Sequence, residues 1–215
     1  MELAAAACQN GGVSADNIAV LRIELSDIEP LIWRRVAVPT ATNLQTLHRI
    51  IQAAMGWQDY HLWEFAADEE IYGIPEPDDA MWDRTVHRAS TTKLGSLVER
   101  GVTAFDYTYD MGDNWEHRLT IERVEPTEPG RLYPDFVGGE RRCPPEDCGG
   151  FSGYYDFLDA IAGPDKGKGS RRKKEMLTWY GGPYNPGDID EKQIRATLKH
   201  LAITARRGRA KTADA

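Results

Sequence analysis

Long uncharged apolar segments are missing from this 215-residue chain. No apolar run approaches the roughly 20 residues that a membrane-spanning helix needs. The apolar stretch at positions 3–8 is too short for the core of a secretory signal, and it follows Glu2 instead of a basic residue. We therefore expect a cytoplasmic protein that has no membrane partner.

Cysteine is also scarce, since the chain has only Cys8, Cys143 and Cys148. An odd and sparse set excludes a disulfide scaffold and fits a reducing compartment. The 20 glycines, 12 prolines and 28% charged residues are too ordinary for a collagen-like or globally disordered chain. Together with the length, these numbers predict one compact domain.

Basic residues are few in the first 163 positions, which hold 13 Lys and Arg against 28 Asp and Glu. Positions 164–215 reverse this balance with 13 basic and 6 acidic residues. The net charge of −8 is therefore the sum of an acidic body and a basic end. Such an asymmetry raises the possibility of a polyanionic partner for that end.

Strand patterns dominate the first part of the chain. Residues 1–17 have no period and are expected to form a flexible leader. Period-2 alternation predicts a hairpin of two strands over 18–25 and 32–38, and a third, central strand over 62–67. An apolar stripe predicts a helix over 44–55, capped by Asn43 and ended by Gly56.

Helix patterns dominate the later part. The acidic stretch 68–83 is expected to be a surface loop, and a short helix is predicted over 93–100. A second hairpin is predicted from strands at 105–109 and 115–121, and the chain past Pro126 is expected to be irregular until the helices begin. Those helices are predicted at residues 154–162, 173–180 and 191–201.

This order predicts an α+β fold with a single domain. Its mostly antiparallel sheet is built from the two hairpins and the central strand, and the amphipathic helix packs on it. The domain is expected to span residues 18–201, with a basic, flexible tail over 202–215.

Two cysteines flank a proline-rich segment, Cys143-Pro-Pro-Glu-Asp-Cys148. Their spacing is compatible with half of a zinc site, and His61 and His117 would have to complete it from the sheet. A rigid loop with two buried thiols and a redox pair are the alternatives. A transition metal such as zinc is the one cofactor that the sequence suggests.

His117 falls on the same strand face as Leu119 and Ile121, which should point into the core. A buried imidazole needs hydrogen-bond partners, so it is either a structural histidine or a functional one. The residues that would form a functional cluster, if the fold brings them together, are His61, Asp113, Trp115, Glu116, His117, Glu146 and Asp147.

Basic runs occur at 171–174 and 206–211. Solvated helix faces explain such runs, and contact with nucleic-acid phosphates is the alternative. The candidate phosphate contacts are Arg171, Arg172, Lys173, Lys174, Arg206, Arg207 and Arg209. A protein partner is equally compatible with the sequence.

Four strings appear in a recognisable order along the chain. They are Ile32-Trp-Arg-Arg35, Ala54-Met-Gly-Trp57, Gly112-Asp-Asn-Trp-Glu-His117 and Cys143-Pro-Pro-Glu-Asp-Cys-Gly-Gly150. In these strings the chain resembles the plasmid pRiA4b ORF-3-like family, whose members are often labelled transposon-resolvase-like (TnpR-like) or insertion-element passenger proteins. The resemblance implies a compact α+β domain and carries no established activity.

Recombinase chemistry is not evident in the residues themselves. Neither an activated serine beside an arginine cluster nor a tyrosine with an Arg-His-Arg set is present. We therefore expect a binding or accessory module associated with mobile elements or DNA metabolism. The alternative is a metal-dependent hydrolase or nuclease that uses His61, Asp113 and His117 with the Cys143–Cys148 loop.

Overall fold

The computed structural model describes residues 17–79 and 84–213, with residues 207–213 described by their backbone alone. The expected leader lies outside the described residues except for Asn17, which opens the first strand. The strands are β1 (Asn17–Leu25), β2 (Trp33–Pro39), β3 (Trp63–Ala67), β4 (Glu70–Gly73), β5 (Val86–Arg88), β6 (Ala104–Tyr109), β7 (Trp115–Pro126) and β8 (Asp135–Glu140). The helices are α1 (Leu44–Met55), α2 (Leu94–Glu99), α3 (Gly150–Ala162), α4 (Ser170–Tyr180) and α5 (Glu191–Ala213).

One eight-stranded sheet has the order β5-β4-β3-β6-β7-β1-β2-β8. All neighbouring strands are antiparallel except β4 and β5. Both expected hairpins are present, and pairing of β1 with β7 joins them. The chain leaves this region after β2 and returns at β3 on the other side of β6, so α1 must cross the sheet. The α+β class is confirmed.

The core lies between α1 and the sheet face that receives the inward side chains of β1 and β6. Leu21, Ile23, Phe105 and Tyr107 are buried there with Ile50 of α1 in a single cluster. Burying an aliphatic side chain of this size stabilises the fold by about 1.5–3 kcal/mol. The helix starts and ends as expected, because the Asn43 side chain accepts from the Thr46 amide and Gly56 adopts a left-handed conformation.

Strands β4 and β8 lie where a loop and an irregular stretch were expected, and β5 lies in a stretch for which no element was predicted. The stretch 68–83 contains β4, since Asp68 and Glu69 both have positive φ and form the tight turn that folds the chain back on β3. Strand β5 has only three residues and no alternation to detect. Strand β8 contains Gly138 and Gly139, a residue type that is depleted in strands, and it lies at an edge of the sheet.

The later helices are longer than expected. α3 begins at Gly150, α4 at Ser170, and α5 continues to Ala213 instead of ending at Leu201. The segment expected to be a flexible tail is therefore helical as far as Ala213. Alanine, arginine and lysine dominate it, proline is absent, and these residues favour helix even without an apolar stripe. None of the described helices is long and apolar enough to cross a membrane.

Candidate metal centre

His61 lies in the loop that connects α1 to β3. This loop begins where Gly56 ends the helix, and the Trp57 amide donates to the Gln52 carbonyl. The buried Trp57 indole then donates to the carbonyl of Pro144 at 3.1 Å. The end of α1 is thereby attached to the proline-rich segment that follows β8.

A second set of contacts holds the middle of the same loop. The Asp59 amide donates to the Gln52 side chain at 2.9 Å, and the Asp59 carboxylate lies 2.6 Å from Nε2 of His48. The Tyr60 amide donates to the Tyr109 hydroxyl at 3.0 Å. His61 follows directly, with its ring edge-on to Tyr109.

Asp110 comes from the turn between β6 and β7. Its Oδ1 atom accepts from the amides of Gly112 and Asp113 at 2.9 and 3.2 Å. The other carboxylate oxygen, Oδ2, is left to face Nε2 of His61 at 3.5 Å. Asp110 is 7% exposed, so this oxygen is held in a partly dry environment.

Glu146 and Asp147 come from the segment between β8 and α3. Glu146 accepts from the Gln58 amide at 2.7 Å and from the Tyr109 hydroxyl at 3.2 Å, and its Oε2 atom lies 4.0 Å from Nε2 of His61. Asp147 has a positive φ, and its Oδ1 atom lies 3.1 Å from the same nitrogen. Three carboxylates thus surround one imidazole nitrogen.

One ligand atom from each of His61, Asp110 and Asp147 lies within 4.8 Å of the other two. Ligands about 2.1 Å from a metal are about 3.0–3.4 Å apart in octahedral or tetrahedral geometry, close to the two measured distances from His61. Nε2 of His61 is shielded from solvent and makes no aligned hydrogen bond, although Asp147 is near. An imidazole nitrogen and two carboxylates that leave positions open suit a transition metal in a catalytic type of site.

Burial changes the proton affinity of Glu146 and Tyr109, which lie beside the three candidate ligands. Burial raises the pKa of Glu146, and hydrogen bonds from Gln58 and Tyr109 only partly oppose this shift. Burial likewise raises the pKa of Tyr109, so its hydroxyl keeps the proton that it donates to Glu146. A carboxyl group with a raised pKa is better suited than an ordinary one to exchange a proton at physiological pH.

Two clefts adjoin the metal centre. The larger, about 740 Å³, lies between the end of α1, the Pro144–Asp147 segment and the start of α5. The smaller, about 360 Å³, lies along α3 and α4. Asp147 and Trp179 line both clefts, so one of the three candidate ligands is reached from each of them.

The chain is similar to proteins of one known family. Residues 17–193 match the family model described as Plasmid pRiA4b ORF-3-like protein. The chain belongs to the pRiA4b ORF-3-like family. It is 35% identical over 198 residues to the uncharacterized protein y4hQ of Sinorhizobium fredii (strain NBRC 101917 / NGR234), with 91% of this chain and 98% of that protein covered. It is also similar to the crystal structure of the protein of unknown function MM3350 from Methanosarcina mazei Go1, with a TM-score of 0.74 and 29% identity over 84% of this chain and 97% of that one.

The pRiA4b ORF-3-like fold brings together three members of the candidate cluster, His61, Glu146 and Asp147. His117 is instead buried in the core, where Nδ1 lies 3.2 Å from the Tyr107 carbonyl. Its other nitrogen has no partner among the residues described, so only half of the expected pairing is made. Trp115 is also buried, with its ring 6.1 Å from Trp57.

Asp113 and Glu116 face away from the ligand triangle. Asp113 accepts from the Gly149 amide at 3.1 Å and thereby joins the β6–β7 turn to the start of α3. Glu116 is exposed and accepts from the Asn114 side chain. Both residues are outside the group that suits a metal.

The two cysteines are separate from that group as well. Cys143 packs against Met55 and receives a contact from the Arg34 guanidinium, while Cys148 contacts the Gly150 carbonyl. Both thiols are free. Within the described chain, neither cysteine joins His61 and His117 in a set of three close ligand atoms.

The candidate phosphate contacts divide between two helices. Arg171, Arg172, Lys173 and Lys174 lie in the first turns of α4. Arg206 is exposed near the end of α5, and the side chains of Arg207 and Arg209 lie outside the described part. Arg172 lines the smaller cleft together with Asp147.

Sequence reasoning missed Asp110. Strict alternation assigns it to the face opposite Tyr109, but its positive φ breaks the alternation and turns its side chain toward His61. The signal was the turn itself, Tyr-Asp-Met-Gly-Asp-Asn, because an Asp that bonds amides two and three residues ahead is typical of such turns. Sequence reasoning also missed the part played by Asp59 in anchoring the His61 loop.

Proposed function

We propose that this protein binds a divalent transition metal through His61, Asp110 and Asp147 and uses it for hydrolysis. The observation that carries the proposal is the triangle of ligand atoms around Nε2 of His61. This proposal is the metal-dependent hydrolase that the sequence suggested as an alternative, with a different set of residues. Asp113, His117 and the cysteines have no part in it, and Asp110, Asp147 and Glu146 join His61.

Glu146 takes the role of general base. Its Oε2 atom is close to the ligand triangle without belonging to it, and Tyr109 and the Gln58 amide fix its position. A metal lowers the pKa of bound water toward neutrality, and a neighbouring carboxylate can accept the proton. Removal of a general base typically reduces a rate by about 10²–10⁴-fold.

The second candidate is a binding or accessory module associated with mobile elements or DNA metabolism, without recombinase catalysis. The observation in its favour is the basic end of the chain, which holds 13 basic and 6 acidic residues over positions 164–215. The free thiols of Cys143 and Cys148 support action in the reducing cytoplasm.

The test is hydrolysis of bis(p-nitrophenyl) phosphate by the full chain with manganese or zinc, and again with EDTA. We expect metal-dependent turnover that Asp147→Asn abolishes and that Glu146→Gln reduces by at least about 100-fold. Asp113→Asn is the matched control, because this carboxylate lies in the same β6–β7 turn as Asp110 but outside the triangle. Metal binding without any turnover would favour the second candidate, and turnover that survives Asp147→Asn would overturn the proposal.

A further inference from the structure

We propose that the smaller cleft binds a single strand of nucleic acid and presents one of its phosphodiesters to the metal centre. This proposal rests on the proposed function, to which it adds a substrate class. It concerns Asp147, Arg172 and Trp179, which line the cleft, and the two lysines that precede α4, Lys166 and Lys168.

One proposed metal ligand, Asp147, and one cation, Arg172, line the same cleft. Its volume is about 360 Å³, and its lining residues are Asp147, Cys148, Gly153, Asp156, Phe157, Arg172, Met176 and Trp179. Arg172 donates to the main-chain carbonyl of Asp156 at 3.4 Å and has no acidic partner in the described structure. Because Arg172 and Asp147 line the same cleft, a nucleic-acid strand bound there could place one phosphate beside Arg172 and another beside Asp147.

Trp179 offers a stacking surface inside this cleft. The indole is 49% exposed, which is unusual for so large an apolar side chain. The Phe157 ring lies edge-on to the indole, with the two ring centroids 5.9 Å apart. Unpaired bases stack on such aromatic rings without regard to sequence, whereas the bases of a duplex are already stacked on each other.

Six basic residues surround the start of α4. Arg171 pairs with Glu175, and Lys173 pairs with Asp165. The other four have no acidic partner in the part of the chain that the structure describes. Arg172 lines the cleft, Lys166 and Lys168 lie just before α4, and Lys174 lines a separate cleft together with Arg171 and Lys173. α4 has 11 residues and is therefore about 16 Å long, so this charge lies within the reach of a few nucleotides from Trp179 at its other end.

The surroundings favour nucleic acid over an anionic membrane. Membrane binding by a basic helix requires an apolar face that enters the lipid. Met176 and Leu177 of α4 pack instead against the protein core, and the exposed apolar side chain, Trp179, lies at the end away from the lysines. The carboxylates around His61 would repel a phosphate until a cation neutralises them, so bound metal should strengthen binding.

Fluorescence anisotropy of a labelled single-stranded oligothymidylate tests the proposal on the full chain. We expect binding that weakens steeply with salt, since each phosphate contact contributes about 0.7 to the logarithmic salt slope. The triple variant Lys166→Ala, Lys168→Ala, Arg172→Ala should bind at least tenfold more weakly with a slope reduced by about 2. Trp179→Ala should lose roughly tenfold at an unchanged slope, because stacking releases no counterions.

The matched control removes the same charge from ion-paired positions, through Arg118→Ala, Arg123→Ala and Arg131→Ala. Equal losses in the control and the triple variant would overturn the proposal, and so would binding to phosphatidylglycerol vesicles in place of the oligonucleotide. Measurement of His61→Ala in EDTA separates the two proposals. Oligonucleotide binding that persists in a protein unable to take up metal supports the cleft alone, whereas metal-dependent hydrolysis without oligonucleotide binding overturns the cleft and leaves the metal centre.

Discussion

Nε2 of His61 lies 3.1 Å from Oδ1 of Asp147, although one residue lies in the loop between α1 and β3 and the other in the segment between β8 and α3. The contact exists because both loops are attached to the same tyrosine. Tyr109 receives the Tyr60 amide on its hydroxyl and donates that hydroxyl to Glu146. The order of the strands thus fixes the metal centre, and β6 carries the tyrosine that joins its parts.

The buried imidazole of His117 predicts a pH dependence of stability. Burial lowers the pKa of His117 to about 4, whereas an unfolded histidine titrates near 6.5. The unfolded state therefore takes up a proton first as pH falls, and stability decreases between about pH 6.5 and pH 4, by about 3 kcal/mol in all. Urea unfolding at pH 7 and pH 5 measures this loss.

Replacement of His117 by leucine should remove most of that dependence, and replacement of the exposed His87 by glutamine should leave it unchanged. The residual slope belongs to His48, whose pKa is also lowered by burial, and to Glu146, whose raised pKa acts in the opposite direction. An unaltered slope in His117→Leu would show that the proton is taken up elsewhere.

Arg34 is a buried cation whose guanidinium donates to main-chain oxygens. Its donors reach the carbonyls of Ala54, Trp33 and Glu140, each at 2.8 Å. A lysine has one nitrogen and cannot reach three carbonyls in this fork arrangement. Arg34→Lys should therefore destabilise the fold by about 2–4 kcal/mol, as measured by urea unfolding.

Arg123→Lys is the control for that variant, because Arg123 is half-exposed and pairs with Glu125 on the surface. Its free energy of unfolding should change by less than about 0.5 kcal/mol. Equal effects at the two positions would contradict the structural role of Arg34.

Two adjacent glycines in β8 predict opposite outcomes. A Cβ atom on Gly139 would lie 2.8 Å from the Trp33 carbonyl oxygen, whereas a Cβ atom on Gly138 would meet only the Trp33 ring at 3.8 Å. Gly139→Ala should cost about 1–3 kcal/mol of stability, as overpacking does. Gly138→Ala should be neutral or slightly stabilising. Thermal unfolding distinguishes the two variants. A Gly139→Ala variant as stable as the wild type would contradict the close approach of Gly139 to the Trp33 carbonyl.

Local signals were sufficient for much of the fold. Asn43, Gly56 and the stripe that includes Leu47 predict α1 correctly, and alternation in β1 and β7 predicts both hairpins. Strand β8 was missed because its glycines hide it, and it is recognisable only through its pairing with β2.

The metal centre was predictable only in part. His61, Glu146 and Asp147 stand in strings that attract attention, but their convergence depends on the strand order and on the crossing of α1. Asp110 depends on a positive φ that no alternation reveals. His117 was correctly placed on the core face, and this placement keeps it from the metal centre, because the Trp57 ring covers it edge-on.

Calorimetric titration of the metal-free full chain with zinc or manganese, checked by elemental analysis after dialysis, tests the central claim most directly. We predict one metal per chain in the wild type and in the control variants Asp113→Asn and Cys148→Ser, and none in His61→Ala or Asp147→Asn. Circular dichroism should show that all variants remain folded, since none of the altered side chains belongs to the buried core. Uptake that is unchanged in Asp147→Asn, or lost in Cys148→Ser, would contradict the account.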